Sequence, residues 1–193
     1  MHSESEIVKI CITNRHLVED DFLTQIEKVA KSDCAMIILR EKDMQENEYM
    51  QLAQQVLDIC RKNHKTCILH TYPGAALKLK ADGIHFPLPV LLEYAQKHGV
   101  PKSINFGKIG TSVHSVEEAK KAVKCGATYL TAGHVFLTDC KKGVPARGLD
   151  FLADVCRAVN VPVYAIGGIN DKNAGDCIQA GAAGVCMMSG YMR

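Results

Sequence analysis

Two short apolar runs separated by one helix length, VPVYAIGGI from Val161 and AGAAGVCMMSG ending at Gly190, constrain this chain most. Neither run alternates with polar residues, as expected of strands covered on both faces. Val161 to Ile166 and Gly184 to Met188 are the predicted strands. Between them Asn170 and Asp171 can cap a helix that runs to Gln179 and stops at Gly181. A strand, helix, strand unit implies a parallel sheet. Gly167 and Gly168 follow the first of these strands, and Ser189 and Gly190 the second. Loops without bulky side chains after the last two strands of a (β/α)8 barrel commonly cradle phosphate with backbone N–H groups. A phosphorylated small molecule is the ligand this pattern suggests.

Strand and helix signals alternate through the rest of the chain. Strands are expected over 7–13, 35–40, 66–70, 83–86, 107–112 and 128–132, which with the two above makes eight. Helices are expected over 21–31, 46–62, 88–97, 115–125 and 149–159. In the second of these Tyr49, Ala53, Val56 and Cys60 share one apolar face, and Ser115 with Glu118 forms a capping-box pattern. The fold expected is an α/β (β/α)8 TIM barrel spanning 1–193 as one domain. Only Tyr191, Met192 and Arg193 follow Gly190, so the eighth helix is expected to be missing or truncated. That would leave an apolar flank beside the first and seventh helices, which implies a partner subunit, as in a homo-oligomer, or a chain cut short.

Composition excludes several classes. With 193 residues, 47% of them hydrophobic and 23% charged, the chain suits one globular core. A net charge of +2 without a basic block argues against nucleic acid. No apolar run reaches membrane-spanning length and the polar start is no signal peptide, so a cytoplasmic protein is expected. The nine cysteines lack metal-type pairs and sit mostly in apolar runs, as at Cys11, Cys34, Cys67, Cys156, Cys177 and Cys186. They read as reduced, buried thiols.

Residues at the carboxyl ends of barrel strands are the functional candidates. These are Thr13, Arg40, Lys42, His70, His85, Ser112, His114, His134, Thr138, Lys141 and the two glycine-bearing loops. Arg40 and Lys42 suit an anion at the mouth, although a solvated charge cluster would look the same. The segment from Gly133 to Leu149 is a long, basic, Gly-bounded loop of the kind that closes over a ligand. His134 at its first turn could take and return a proton. His114 is a weaker candidate beside the helix cap, and His85 could point into the barrel as a hydrogen-bonded core residue. HTYPG and HFPLP, after the third and fourth strands, offer no Asp or Asn for Mg²⁺. No metal or cofactor is expected.

ILREK at 38–42, GIHFP at 83–87, IGTSVHS at 109–115, GHVFLTDCKKG at 133–143, AIGGI at 165–169 and MMSG at 187–190 occur in one order. In these motifs the chain resembles the thiamine phosphate synthase superfamily. That superfamily includes a synthase, which joins a pyrimidine pyrophosphate to a thiazole phosphate, and a TenI-type thiazole tautomerase. The synthase pattern has a Gln before LREK, an Asn-Asp pair after the third strand and an Asp after the fourth. Here Ile38, then His70 and Thr71, then Val90 stand instead, and the Thr-x-Thr-Lys signature reads Thr138, Asp139, Cys140, Lys141. The loop is closer to the tautomerase branch. The resemblance therefore implies a metal-independent isomerase that aromatises a carboxythiazole phosphate tautomer in thiamine biosynthesis. His134 would be its catalytic acid and base. Gly167, Gly168, Ser189 and Gly190 would hold the phosphate, Arg40 or Lys42 the carboxylate, and Ser112, Thr138 and Lys141 would complete the substrate site. The alternatives are a synthase-like transferase and a non-catalytic thiazole-phosphate-binding regulator.

Overall fold

In the structure, a computed structural model that describes residues 7–138 and 143–193, eight parallel strands close into a barrel in chain order, β1-β2-β3-β4-β5-β6-β7-β8. The strands are β1 Lys9–Ile12, β2 Met36–Leu39, β3 Thr66–His70, β4 Gly83–Phe86, β5 Lys108–Val113, β6 Tyr129–Gly133, β7 Val163–Ile166 and β8 Gly184–Met187. Closure comes from β1 pairing with β8, Ile10 beside Cys186. All eight strands lie within one or two residues of their expected positions, because apolar runs of this length have one way to be buried on both faces. Among the described residues no helix is long and apolar enough to cross a membrane.

Helices α1 Phe22–Ala30, α2 Glu46–Lys62, α4 Leu88–His98, α6 Val116–Lys124 and α7 Gly148–Ala158 cover the sheet. The expected face of α2 is the buried one: Tyr49, Ala53, Val56 and Cys60, joined by Leu57. Ser115 Oγ accepts from Glu118 N at 3.1 Å, so the cap forms as the pattern implied. Two short helices, α3 Pro73–Lys78 and α5 Ser103–Phe106, were not expected. They are too brief for a helical period to register.

Three expectations need correction. Helix α8 spans only Ala174–Gln179, because Asn170 and Asn173 are spent on a turn in which Asn170 N donates to Asn173 Oδ1 at 2.9 Å. The eighth helix is truncated to one turn, α9 Ser189–Met192. That turn nevertheless seals the flank: Met192 is fully buried, and Gln25 of α1 donates to the Tyr191 carbonyl at 2.6 Å. Among the described residues the exposed large apolar ones are Val8, Leu77, Val100, Ile104, Leu137 and Val144, none of them on α1, α8 or α9. Among the cysteines, all those described are free, but Cys125 and Cys156 are only half-buried.

Two cores result from the period-2 alternation of the strands. Outward residues such as Ile37, Leu39, Leu69, Ile84 and Val185 meet the helices. Inward residues Ile10, Ile12, Met36, Ile38, Ile68, Tyr129 and Cys186 fill the barrel. Tyr129 lies beside Gly110 in register, and a Cβ on Gly110 would overlap its ring. Glycine is required there for space, since the ring occupies what a side chain would need. Gly110→Ala is expected to cost about 2 kcal/mol by overpacking, read as a fall in Tm of roughly 4–8 °C for a chain of this size. An unchanged Tm would mean that Tyr129 has another place to go.

Candidate functional site

The same alternation that buries Met36 and Ile38 sends Arg40 to the inner side of the barrel mouth, just past the end of β2. Its position is fixed from behind. Arg40 N donates to Thr13 Oγ1 at 2.9 Å, and Thr13 Oγ1 donates to the buried Glu41 Oε1 at 2.7 Å. Glu41 also accepts from Arg15 N and from Arg15 Nη1 at 3.1 Å. The Arg15 fork then grips both oxygens of Asp43 at 2.7 and 2.6 Å. Arg15, followed by His16, holds the Asp43 carboxyl below the usual carboxylate range. Thr13 is thus a strut and Glu41 its anchor, while Arg40 is half-buried and Lys42 exposed above it.

On the next two strands His70 and His85 face inward in register, stacked with centroids 5.4 Å apart and 17° between planes. His85 is 2% exposed and His70 7%. Burial pushes the His85 imidazole down to about 3, assisted by the Arg40 charge. Burial also lowers His70 well below its ordinary value, with further contributions from His85, Arg40 and Lys42. Both rings are therefore neutral at pH 7. His85 Nδ1 lies 3.0 Å from Tyr129 Oη, and its Nε2 lies 3.0 Å from Ser112 Oγ. Ser112 Oγ is 2.8 Å from Thr131 Oγ1. The expectation that His85 could be a hydrogen-bonded interior residue agrees with this geometry.

Across the mouth, β7 and β8 present their loops side by side. Gly167 and Gly168 have φ of +101° and +68°, and a Cβ on either would overlap the segment 134–137. Ser189 and Gly190 are exposed on the first turn of α9, where N–H groups have no intrahelical acceptor. In an eight-stranded barrel β3 and β4 stand opposite β7 and β8. The small-residue loops therefore face the two imidazoles.

His134, the residue expected to take and return a proton, directly follows β6. It is 5% exposed, its Nε2 lies 3.3 Å from the Val144 carbonyl, and its Nδ1 is buried without a partner among the described residues. His114 is occupied too, with Nδ1 2.6 Å from the Gly133 carbonyl. Thr138 is half-buried, and Lys141 lies outside the described residues.

The superfamily's synthase pattern implies a divalent cation held by carboxylates. Among the described residues no three His, Cys, Asp or Glu side chains are grouped to hold one, and the ends of β3 and β4 carry imidazoles where carboxylates would be needed. This donor set does not fit Mg²⁺. Sequence reasoning missed Tyr129, Thr131, Arg15, Glu41 and Asp43. For Tyr129 and Thr131 a signal existed, since both share the inward parity of β6 with Gly133.

Known proteins place this geometry in a family. The thiamine monophosphate synthase model matches residues 10–191. A putative thiamine-phosphate synthase 2 of Aquifex aeolicus is 35% identical over 182 residues, 94% of this chain and 95% of that protein. The thiamine-phosphate synthase of Coprothermobacter proteolyticus is 38% identical over 153 residues, 79% of this chain and 71% of that protein. The solved thiamine phosphate pyrophosphorylase from Pyrococcus furiosus superposes with a TM-score of 0.77 at 28% identity, covering 95% of this chain and 86% of that one. These names correct the isomerase expectation: the relatives are called synthases, which are transferases, and the likeness of one loop to the tautomerase branch is outweighed by similarity along the whole barrel. By sequence over nearly its full length and by fold, this chain belongs to the thiamine monophosphate synthase family.

Proposed function

We propose that this chain is a transferase of the thiamine-phosphate synthase kind, joining a thiazole phosphate to a pyrimidine that carries a pyrophosphate leaving group. The observation that carries the reading is the inward Arg40 beside two neutral imidazoles, facing the glycine loops of β7 and β8. The thiazole phosphate sits on Gly167, Gly168, Ser189 and Gly190. The thiazole nitrogen supplies the electron pair of the new C–N bond, and pyrophosphate departs with the pair of the broken C–O bond. Arg40 and Lys42 meet the charge that accumulates on the leaving oxygen, and Arg40 offers a fork suited to two oxygens at once. Ser112, Thr138 and Lys141 complete the substrate site. The mouth below Arg40 is lined by uncharged rings, which strengthens that attraction relative to open water.

The test is pyrophosphate release from the purified protein. Release is expected only when both substrates are present, and Arg40→Gln is expected to lower kcat/KM about 10²-fold, the scale of removing one such charge-stabilising donor. A second reading, a thiazole-phosphate binder without turnover, is favoured by the lack of a metal-capable cluster among the described residues. Tight thiazole phosphate binding with no pyrophosphate release would establish that second reading in place of the first.

A further inference from the structure

We infer that Tyr129, His85 and Thr131 are positioning residues that commit the Ser112 hydroxyl to donating its proton toward the mouth, so that the ligand atom seated on it is an anionic oxygen. Each proton along the hydrogen-bonded chain Tyr129–His85–Ser112–Thr131 has one place to go, and only the placement of a ligand at the barrel mouth rests on the proposed function.

Tyr129 is buried, and burial pushes its phenol well above the ordinary value, so the proton stays on. Its Oη has one hydrogen-bonding neighbour among the described residues, His85 Nδ1 at 3.0 Å. A buried phenol proton without an acceptor would cost the full desolvation of that group. Tyr129 therefore donates, and Nδ1 accepts. A neutral imidazole that accepts at Nδ1 carries its proton at Nε2, so His85 donates to Ser112 Oγ at 3.0 Å.

Thr131 is fully buried and likewise has one side-chain partner, Ser112 Oγ at 2.8 Å. By the same reasoning its hydroxyl donates to Ser112. The serine oxygen now accepts twice, from His85 and from Thr131, which uses both lone pairs. Its own proton remains. Ser112 is only half-buried and sits at the mouth end of β5, so that proton points at the ligand. A group that can only donate selects a ligand atom with a lone pair to accept and rejects one that can only donate. Arg40, whose charge reaches His85, makes a negatively charged oxygen the preferred acceptor.

The experiment uses the full chain with inorganic pyrophosphate as the probe. A long-range ¹H–¹⁵N spectrum is expected to show His85 as the Nε2–H tautomer. Tyr129→Phe frees His85 to take its proton at Nδ1 and to capture the Ser112 hydroxyl through Nε2. Pyrophosphate affinity should then fall about tenfold or more, the scale of one hydrogen bond to a charged group. The spectrum of that variant should show Nδ1–H signal. Thr131→Val should weaken binding in the same direction. In a Ser112→Ala background Tyr129→Phe should have no further effect, which separates positioning from general loosening of the barrel.

An Nδ1–H tautomer in the wild type, absence of pyrophosphate binding, or an undiminished Tyr129→Phe effect without Ser112 would each overturn the inference. If the tautomer and the binding pattern hold but the substrates yield no pyrophosphate, the transferase reading falls and this one stands.

Discussion

Lowering the pH from 7.5 to 5 is expected to remove at least about 2 kcal/mol from the stability of this protein, through His85 alone. The folded chain keeps that imidazole neutral down to about pH 3, whereas in the unfolded chain it titrates near 6.5. Below 6.5 the unfolded state binds more protons than the folded one. Stability is therefore complete above that value and declines as pH falls toward the folded pKa, by about 1.4 kcal/mol per unit. His70, lowered in the same direction for the same leading reason, steepens the decline. Carboxylates do not confuse the window. Asp43, Asp21, Glu27 and Asp33 are all held below their ordinary values, so their contributions are lost only at pH lower still. Denaturant unfolding at half-unit intervals between pH 7.5 and 5, for wild type and His85→Gln, checks this. The variant should show a clearly shallower slope, and equal slopes would mean that His85 is not buried neutral in solution.

The barrel was legible in the sequence because its cause is simple. Eight apolar runs, each followed by enough chain for a helix, can be buried on both faces only in a parallel, helix-covered sheet. The face of α2 and the Ser115 cap were legible for equally local reasons. The start of α8 was not, since Asn170 satisfies backbone groups in a turn as readily as in a cap. The site divided along the same line. Arg40, His70, His85 and Ser112 could be named because strand ends are where a barrel displays side chains. What each does could not be read, because that depends on partners far along the chain. Thr13 proves to be a strut only through Glu41, 28 residues away, and His85 is set by Tyr129, 44 residues on. His134 could be named for its place at a strand end, but its contact with the Val144 carbonyl, ten residues on, could not be read. The isomerase expectation rested on the loop carrying that histidine and on the departures from the synthase pattern at Ile38, His70, Thr71 and Val90, and the relatives, named synthases and similar along the whole barrel, turn it to a transferase.

Gly167→Ala is expected to damage both stability and phosphate binding, and the two losses share one cause. At φ +101° an alanine is strained, by roughly 1–2 kcal/mol. Its Cβ would also overlap that of His134 and lie 2.7 Å from the His134 Cα. Backbone cannot swing aside as a flexible side chain can, so either β7 or the start of the loop after β6 must move. Overpacking of that kind adds about 1–3 kcal/mol, for a combined loss of about 3 kcal/mol. The displaced segment carries Phe136, whose N–H donates to the Gly167 carbonyl at 3.0 Å. A shift there moves the phosphate loop away from Ser189 and Gly190. Affinity for thiazole phosphate should therefore fall more than tenfold, even at temperatures where the variant is folded. Gly175→Ala is the matched control: it lies in α8 with open space where a Cβ would sit, so alanine should be neutral or stabilising by about 0.5–1 kcal/mol. Calorimetric titration of both variants separates the causes. Normal phosphate affinity in a folded Gly167→Ala protein would show that the ligand does not depend on the close approach of the β6 and β7 loops.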